Sequence, residues 1–365
     1  MQLLSIAKTI ANITQSVDFI LRTSILTQEQ RKTAFKSLGL YLQSPDEQLK
    51  KLINNAHQSN AWFTPEETIK AIKGISRMLE PQDIDTWFEN EKISTYSPVN
   101  PKQIGLVLAG NIPLVGFHDI LSVLATGHIA LIKSSSQDKD LIPHLLNKLI
   151  EFDPGFKEQI KFADRLEGFD AVIATGSNNT SRYFEYYFSK VPHIIRKNRN
   201  SIALLTGQET RDELFLLGHD IFDFFGLGCR NVSKVFVPEG YDFRTFFESI
   251  EPYNNIVNHN KYCNNYEYNK SIYLINREKH FDNGFLLVKK DERLASPLAV
   301  LYYEEYTKLE SAEEIIQPHA ENLQCIVSKQ ELHVDTQRVG FGQSQQPRLW
   351  DYADGVNTVE FLLSL

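Results

Sequence analysis

From about residue 104 onward, short apolar runs alternate along the chain with longer segments of helical periodicity. The runs IGLVLAG, HIALIKSS, FDAVIATGS and SIALLTG are nearly continuous in apolar residues, and each precedes a helix-like segment. Strands that are apolar throughout are typical of a parallel sheet with helices on both faces, because neither face then meets water. The pattern predicts an α/β fold with a parallel sheet of dinucleotide-binding character.

Residues 1–95 precede these runs and carry two signals for the start of a helix. The motifs SPDE at 44–47 and TPEE at 64–67 each place a hydroxyl at the N-cap, a proline at the first helical position and a glutamate three residues after the cap. In such a motif the hydroxyl and the carboxylate satisfy unpaired backbone amides reciprocally. We predict a helical N-terminal region that serves packing and oligomer contacts.

These patterns divide the chain into three predicted parts. Residues 1–95 form the helical region, packed on the cofactor domain. Residues 96–205 form the dinucleotide-binding domain, which residues from about 335 to 365 complete. Residues 206–335 form an α/β catalytic domain.

Composition excludes several classes of function. With 365 residues and a net charge of −8, the chain has no general attraction to nucleic acid or to anionic membranes. No run of about 18 apolar residues occurs, so no membrane span is expected, and a lysine interrupts any signal-peptide core. The three cysteines are widely separated and the ten histidines lack metal-ligand spacing. We therefore expect neither disulfides nor a metal site, and a cytoplasmic location.

The first apolar strand ends in AGNIP, which places Asn111 in the loop before a helix that opens near Pro113. In parallel sheets, loop amides and helix N-termini converge at the carboxyl ends of the strands, and sites form there. A carboxamide at this point offers two N–H donors to an oxyanion that develops on an acyl carbon. The alternative is a turn asparagine that bonds its own backbone.

The next two strand ends carry residues suited to a nucleotide. The second strand ends in IKSSS, so Lys133, Ser135 and Ser136 are candidates to hold ribose hydroxyls and phosphate. The third ends in ATGS, where Gly176 allows close backbone approach and Ser177 offers a hydroxyl to a pyrophosphate. Ordinary polar loops are the alternative at both places. Neither the Gly-x-Gly-x-x-Gly fingerprint nor a P-loop occurs.

Cys229 is the cysteine whose context suits chemistry. It lies in GLGCRN, where Gly226 and Gly228 let the backbone bend and Arg230 adds a positive charge before a strand-like run. A thiol near cations and oriented amides ionises more readily, and the thiolate is the nucleophile. A structural cysteine in a tight turn is the alternative. Cys325, within an apolar strand, is expected to be inert.

Other polar residues are weaker candidates for the site. Cys263 lies in a polar stretch that we expect to be exposed and remote from any strand end. His219 lies ten residues before the candidate nucleophile, and either a Cys-His dyad or a capping or interface histidine fits this spacing. Arg196, Lys197 and Arg199 either meet substrate phosphates or form a solvated loop.

In this order, AGNIP, IKSSS, ATGS and GLGCRNVSKVFVP resemble the aldehyde dehydrogenase superfamily. More narrowly, the chain resembles the long-chain fatty acyl-CoA reductases of the LuxC type, which supply fatty aldehyde to bacterial luminescence. The ending GFGQSQQPRLWDYADGVNTVEFL is also similar to that of the family. The resemblance covers roughly residues 100–365.

The resemblance implies a role for each matching position. It makes Cys229 the acyl-accepting nucleophile and Asn111 the side-chain half of an oxyanion hole, with the Cys229 amide as the other half. It places Lys133 at the adenosine ribose, and Gly176 and Ser177 at the pyrophosphate of a nicotinamide nucleotide.

Three departures from the superfamily pattern are informative. The stretch RKNRNSIALL has no carboxylate where hydrolytic aldehyde dehydrogenases carry a glutamate that activates water, which favours reduction of acyl groups over oxidation of aldehydes. Ser136 stands where relatives that prefer NAD often carry a glutamate, which favours NADPH over NADH. ERLASPLAV is a poor match to the superfamily's Glu-x-Phe-Gly-Pro element, which puts Glu292 in doubt as a ribose ligand.

The predicted function is NADPH-dependent reduction of a long-chain acyl-CoA, or a related thioester, to the aldehyde through an S-acyl cysteine. The resemblance also implies an acyl-protein donor, an acyl-protein synthetase as partner and a homo-oligomer. Two alternatives stay open at this point. One is a cysteine-dependent acyltransferase or acyl carrier without hydride transfer, and the other is a non-catalytic binding protein with this fold.

Overall fold

Two sheets form the centre of the protein. The computed structural model describes residues 26–176 and 178–365. Its α-helices are α1 (Gln28–Gln43), α2 (Glu47–Asn55), α3 (Pro65–Met78), α4 (Pro81–Asn90), α5 (Phe117–Ala125), α6 (Leu141–Phe152), α7 (Asn178–Phe188), α8 (Arg211–Phe222), α9 (Arg244–Ile250), α10 (Asn260–Ile275), α11 (Leu309–Ile316) and α12 (Thr358–Leu363). Its strands are β1 (Gln103–Val107), β2 (Ile129–Lys133), β3 (Ile160–Phe162), β4 (Ala171–Thr175), β5 (His193–Arg196), β6 (Asn200–Leu204), β7 (Val232–Pro238), β8 (Phe281–Asp282), β9 (Leu287–Lys290), β10 (Val300–Tyr306), β11 (Leu323–Val327) and β12 (Arg338–Val339).

The first sheet has the strand order β3-β2-β1-β4-β5 and is parallel throughout. Its central strand β1 pairs with β2 on one side and with β4 on the other, so the strand order reverses between β1 and β4. Helices α5, α6 and α7 make the crossovers between successive strands. The architecture confirms the predicted α/β fold with a parallel sheet and a helical N-terminal region. The short runs IKF and HIIR, which form β3 and β5, were not predicted as strands.

The second sheet has the order β12-β11-β6-β7-β10-β9-β8, with β8 antiparallel to β9 and the other pairs parallel. The sequence pattern assigned the run SIALLTG to the first sheet, within the predicted domain 96–205, and this is wrong because β6 lies in the second sheet. Only residues 197–199 separate β5 from β6. Parallel neighbours in one sheet need a crossover of about a dozen or more residues, so the chain must change sheets here.

Helices α1 to α4 pack against the first sheet and its helices in one continuous apolar core. Half of the cap predicted for α3 forms, since the Thr64 hydroxyl accepts a hydrogen bond from the Glu67 amide at 3.3 Å, but the Glu67 carboxylate does not return to Thr64. The cap predicted at Ser44 is wrong. Ser44 ends α1, and Asp46 caps α2 by accepting a hydrogen bond from the Leu49 amide at 2.8 Å.

The ending of the chain returns to the first sheet. Helix α12 packs on α5, and the Leu362 carbonyl lies 3.0 Å from His128 Nε2. Residues 342–357, which we name the C-terminal segment, accept hydrogen bonds from Arg196 of β5 and from Arg230 before β7. The helix after β1 opens later than expected, because Gly116 caps α5 with a φ of 83° and the first helical residue is Phe117.

A buried ion pair joins the last strand of the first sheet to the rest of the domain. The Arg196 guanidinium donates to both carboxylate oxygens of Asp119, at 2.6 and 3.2 Å, and both residues are buried. The same guanidinium donates to the Thr358 hydroxyl at 2.8 Å and to the Ala353 carbonyl at 2.5 Å. One side chain therefore connects β5, α5 and the C-terminal segment.

Replacement of Arg196 by methionine should lower the free energy of unfolding by about 3–5 kcal/mol, because Asp119 would be left as an unpaired buried charge. Urea unfolding followed by circular dichroism measures this change. Lys197→Met is the matched control, since Lys197 makes an exposed pair with Glu185 at 2.7 Å and such pairs contribute less than about 1 kcal/mol. Equal small effects of the two substitutions would contradict the assignment.

Candidate active site

A cleft of about 630 Å³ lies where the two sheets meet. It opens at the carboxyl ends of β1 and β4, where the strand order of the first sheet reverses. In open α/β sheets ligands bind at this switch point. Asn111, Gly176 and Cys229 line the cleft together with the C-terminal segment. The structure thus brings three of the predicted site residues into one cleft.

Asn111 lies in the loop after β1 and contacts the turn that carries Cys229. Its Nδ2 donates a hydrogen bond to the Leu227 carbonyl at 2.9 Å, while the side chain stays exposed to the cleft. This bond ties the first sheet to the turn before β7. A carboxamide has two N–H groups, so the second is available to an oxyanion.

The turn before Cys229 is strained. Phe224, Phe225 and Gly226 are consecutive residues in the left-handed region, with φ values of 54°, 57° and 78°. A left-handed residue other than glycine costs about 1–3 kcal/mol and persists only where the surrounding structure compensates. We name residues 224–229 the catalytic turn. This turn follows the end of α8 and directs Cys229 toward the cleft.

Asn231 holds the catalytic turn from the other side. Its Oδ1 accepts a hydrogen bond from the Gly228 amide at 2.8 Å, and its Nδ2 donates to the Asp223 carbonyl at 2.8 Å. An added Cβ at position 228 would lie 3.0 Å from this Oδ1, a tight contact that glycine avoids. Asn231 was not predicted as a site residue, because a single asparagine after the cysteine forms no recognisable sequence motif.

Cys229 faces the open cleft, but the protein around it limits the solvation of a thiolate. Burial therefore raises the pKa of the Cys229 thiol above its usual value, and the Asp354 carboxylate adds to the increase. Arg230 and Arg196 lower the pKa but do not outweigh burial. This differs from the expectation of an easily ionised thiol. Arg230 donates its hydrogen bonds to the Gln337 side chain and to carbonyls of the C-terminal segment, at 3.1 to 3.4 Å.

Three aspartates line the cleft, although the stretch 196–205 has none. Asp119 is bound to Arg196, and Asp351 accepts a backbone amide three residues earlier at 2.7 Å. Asp354 belongs to the C-terminal segment and lies 3.5 Å from Arg199. Burial raises the pKa of Asp354, and Arg196 and Arg199 oppose the increase. These acids were not predicted for the site, because their positions are remote along the chain from Cys229.

The residues predicted for the nucleotide at the second strand end lie beside the cleft. Lys133 ends β2, is exposed, and lies opposite Val107 of β1 in the sheet. Ser136 is also exposed. Ser135 lies against Gly110, where an added Cβ would come within 2.3 Å of its hydroxyl. The loops after β1 and β2 are therefore in contact at Gly110.

Gly176 follows β4 and precedes α7. A Cβ at this position would lie 2.9 Å from the Phe184 ring, so a side chain here would displace α7. The helix therefore begins directly at the wall of the cleft. Ser177 lies outside the described residues.

Three basic residues at the end of β5 and directly after it line the cleft, namely Arg196, Lys197 and Arg199. Their contacts are mostly within the protein. Arg196 and Arg199 bind the C-terminal segment, and Lys197 pairs with Glu185. His219 Nδ1 lies 3.3 Å from Asp223, and its ring packs against Tyr253. These contacts favour the interpretation of His219 as a capping or interface histidine over a Cys-His dyad.

The other cysteines lie away from the cleft. Cys325 is buried in β11, as expected, with the Ser201 hydroxyl 3.2 Å from its sulfur. Cys263 is half-buried on α10, so the exposed stretch expected around it is wrong. In residues 26–176 and 178–365, no group of three acidic, histidine or cysteine side chains is placed to hold a metal.

Comparison with known proteins now adds the family. Residues 14–240 match the acyl-CoA reductase (LuxC) family, which is more than half of the chain. The chain belongs to this family. Membership supports an oxidoreductase that acts on acyl or aldehyde groups. No curated protein matches the chain closely.

Solved structures of aldehyde dehydrogenases share the fold at low sequence identity. Aldehyde dehydrogenase 21 from Physcomitrella patens is 13% identical, with a TM-score of 0.63 over 93% of this chain and 84% of its own. A betaine aldehyde dehydrogenase from Staphylococcus aureus in complex with NAD+ is 12% identical, with a TM-score of 0.63 over 87% and 78%. An NAD-dependent aldehyde dehydrogenase from Sinorhizobium meliloti is 9% identical, with a TM-score of 0.61 over 86% of this chain and 74% of its own.

Within the described residues of this chain, none of the helices is long and apolar enough to cross a membrane.

Asp354→Asn should move the pH dependence of Cys229 alkylation to lower pH. The substitution removes one of the charges that raise the pKa of the thiol. Asparagine also tolerates the left-handed backbone at this position, where φ is 59°. The rate of iodoacetamide modification, followed at Cys229 by mass spectrometry, gives the midpoint. Asp351→Asn in the same cleft should leave it unchanged. An equal midpoint in wild type and Asp354→Asn, or a higher one in the variant, would contradict the assignment.

Proposed function

We propose that the protein reduces an acyl thioester, such as a long-chain acyl-CoA, to the aldehyde through an S-acyl enzyme on Cys229. The observation that carries the proposal is the meeting of Asn111, Gly176 and Cys229 in one cleft at the switch point of a parallel sheet. A nucleophile, a donor for the oxyanion and a nucleotide site are the three parts that this chemistry needs.

The first step is acyl transfer to the enzyme. The Cys229 sulfur bonds to the acyl carbon, the bond from that carbon to the coenzyme A sulfur breaks, and the thiol proton ends on coenzyme A. Asn111 Nδ2 and the Cys229 amide donate hydrogen bonds to the oxyanion of the tetrahedral intermediate. Because burial raises the pKa of the thiol, ionisation of Cys229 before the attack is disfavoured.

The second step releases the aldehyde. When bound, the reduced nicotinamide nucleotide supplies the hydride that the acyl carbon accepts. The same two donors then stabilise the oxyanion of the hemithioacetal. As the carbon–sulfur bond breaks, aldehyde leaves and Cys229 regains a proton from water.

The nucleotide site has a suitable shape. Lys133 and Ala174 flank Val107 of β1 at the same level of the sheet. Two strand spacings of about 4.8 Å place the ends of β2 and β4 about 10 Å apart. We propose that the backbone at Gly176 and the start of α7 bind the pyrophosphate, with Ser177 as a hydroxyl donor and Lys133 as the partner of the ribose.

The loop after β2 favours NADPH, with NADH as the alternative. Ser136 is exposed there and carries no charge that would repel a 2′-phosphate. The nearest acidic side chain that follows is Asp138, which is buried and accepts a hydrogen bond from the Leu114 amide at 2.7 Å. That carboxylate is therefore held away from the loop surface.

A cavity of about 180 Å³ lies behind the catalytic turn. Phe222, Phe225, Leu227 and Leu298 are among its lining residues. Gly226 and Leu227 line both this cavity and the cleft, so the turn is the wall between them. Its apolar residues suit part of an acyl chain at most, and the proposal of a long chain rests on the family.

The cleft offers little to a competing hydrolysis. Two of its three aspartates are engaged in contacts within the protein, and the third lies beside two arginines. An S-acyl enzyme would then last until reduction. An acyl-protein donor, an acyl-protein synthetase as partner, a homo-oligomer and a cytoplasmic location stay predictions that accompany this function.

The purified protein should oxidise NADPH in the presence of a long-chain acyl-CoA and form aldehyde, and Cys229→Ala should do neither. Absorbance at the reduced-nicotinamide band measures turnover, and NADH in parallel measures the preference. Mass spectrometry without nucleotide should find the acyl group on Cys229. Cys263→Ala is the control and should remain active.

Two results would contradict the proposal in different ways. Acyl transfer to Cys229 without nucleotide oxidation would favour an acyltransferase or acyl carrier. Acyl-CoA binding with neither acyl transfer nor nucleotide oxidation would favour a non-catalytic binding protein.

Asn111→Ala should slow formation of the S-acyl enzyme about 10²–10³-fold, because one oxyanion donor is lost. Rapid-quench measurement of acyl-CoA transfer to Cys229 gives the rate. Thermal unfolding should change little, since Asn111 is exposed. Acylation at the wild-type rate would reject the role of Asn111.

A further inference from the structure

The catalytic turn is braced by the N-terminal helical region. Phe224 donates its backbone amide hydrogen to the Glu67 carboxylate, with 2.6 Å between the nitrogen and Oε2. Glu67 is 7% exposed and lies in the first turn of α3. Its carboxylate therefore binds the first left-handed residue of the turn rather than returning to the cap residue Thr64, as the sequence motif predicted.

Lys70 connects the same two parts of the chain. Its ammonium lies 2.8 Å from Glu67 and 2.6 Å from Asp223, the residue directly before the left-handed turn. His219 Nδ1 lies 3.3 Å from the same Asp223 oxygen, Oδ1. Burial raises the pKa of Glu67, and Lys70 and the Phe224 amide oppose the increase.

The rings of the turn are held by the same region. Phe225 packs on His259, with 4.3 Å between ring centroids, and on Trp62 at 5.2 Å. His259 Nε2 in turn lies 2.9 Å from the Ala61 carbonyl. Phe224 is buried in the core that the N-terminal helices share with the first sheet.

A second contact reaches the other half of the site. Asn60 is buried, and its Nδ2 donates a hydrogen bond to the Gly110 carbonyl at 2.9 Å. Gly110 is the residue before Asn111. Residues 60–70, which we name the bracing segment, therefore contact both the loop of the oxyanion asparagine and the turn of the nucleophile.

We propose that Glu67 and Asn60 are positioning residues, which hold Cys229 and Asn111 in the arrangement that acyl transfer needs. The proposal rests on the function given above. Left-handed backbone at two phenylalanines is unfavourable by itself, so the turn needs an external partner for its amide. Glu67 supplies that acceptor, and the bracing segment joins the two halves of the site through contacts other than their own Asn111–Leu227 bond.

Glu67→Ala should remove the acceptor for the Phe224 amide and lower kcat at least tenfold, with less than a twofold change in KM for the nucleotide. Alkylation of Cys229 by iodoacetamide should also slow. Glu67→Gln should recover most of both rates, because a carboxamide oxygen still accepts the hydrogen bond. Glu66→Ala, at the exposed neighbouring position of α3, should match wild type in both assays. Folded Glu67→Ala with unchanged alkylation and unchanged kcat would overturn the proposal.

Asn60→Ala provides an independent measurement, which applies even if Glu67→Ala does not fold. It should slow acylation of Cys229 in the wild-type background and have no further effect in the Asn111→Ala background, because Asn60 acts through the loop of Asn111. Additive effects in the double variant would overturn the role of Asn60.

The two proposals fail in distinguishable ways. Alkylation of Cys229 reports on the turn without any substrate, so it tests the bracing segment even if the protein reduces no acyl-CoA. Absence of nucleotide oxidation by the wild-type protein would reject the function and leave the alkylation result intact.

Discussion

The short passage between β5 and β6 is the constraint on which the site depends. Three residues cannot form the crossover that a parallel neighbour needs, and here the chain leaves the first sheet and enters the second. The carboxyl ends of the first sheet therefore face the start of the second. The cleft exists because of this passage, and the residues on both sides of it line the cleft.

Several contacts keep the two sheets in this arrangement. Arg196 binds the C-terminal segment from the first sheet, and Arg230 binds the same segment from the second. Both arginines also lower the pKa of Cys229, while burial raises it. The same charges thus serve the packing of the segment and the electrostatics of the nucleophile. A change to either arginine will affect stability and thiol reactivity together.

The N-terminal helical region contributes more than packing. Its apolar face continues the core of the first sheet. Its polar residues Asn60, Glu67 and Lys70 instead contact the loops of the site. Glu67 in particular serves at once in the first turn of a helix and as the acceptor for a strained backbone amide. Such contacts link the stability of the N-terminal region to the geometry of the turn that carries Cys229.

The sequence by itself determined the fold class and three residues of the cleft. Strands that are apolar throughout indicate burial on both faces of the sheet. Asn111 and Gly176 follow such strands and Cys229 precedes one, so their distance from a strand end can be seen in the sequence. Only the tertiary structure decided that β6 belongs to the second sheet and that burial outweighs the arginines in its effect on the pKa of Cys229. It also decided that Asn231 and Glu67 accept hydrogen bonds from the catalytic turn and that the Asp354 charge raises the pKa of Cys229. The physical reason is that desolvation and hydrogen bonds between segments up to about 160 residues apart depend on distances in space, which no local pattern encodes.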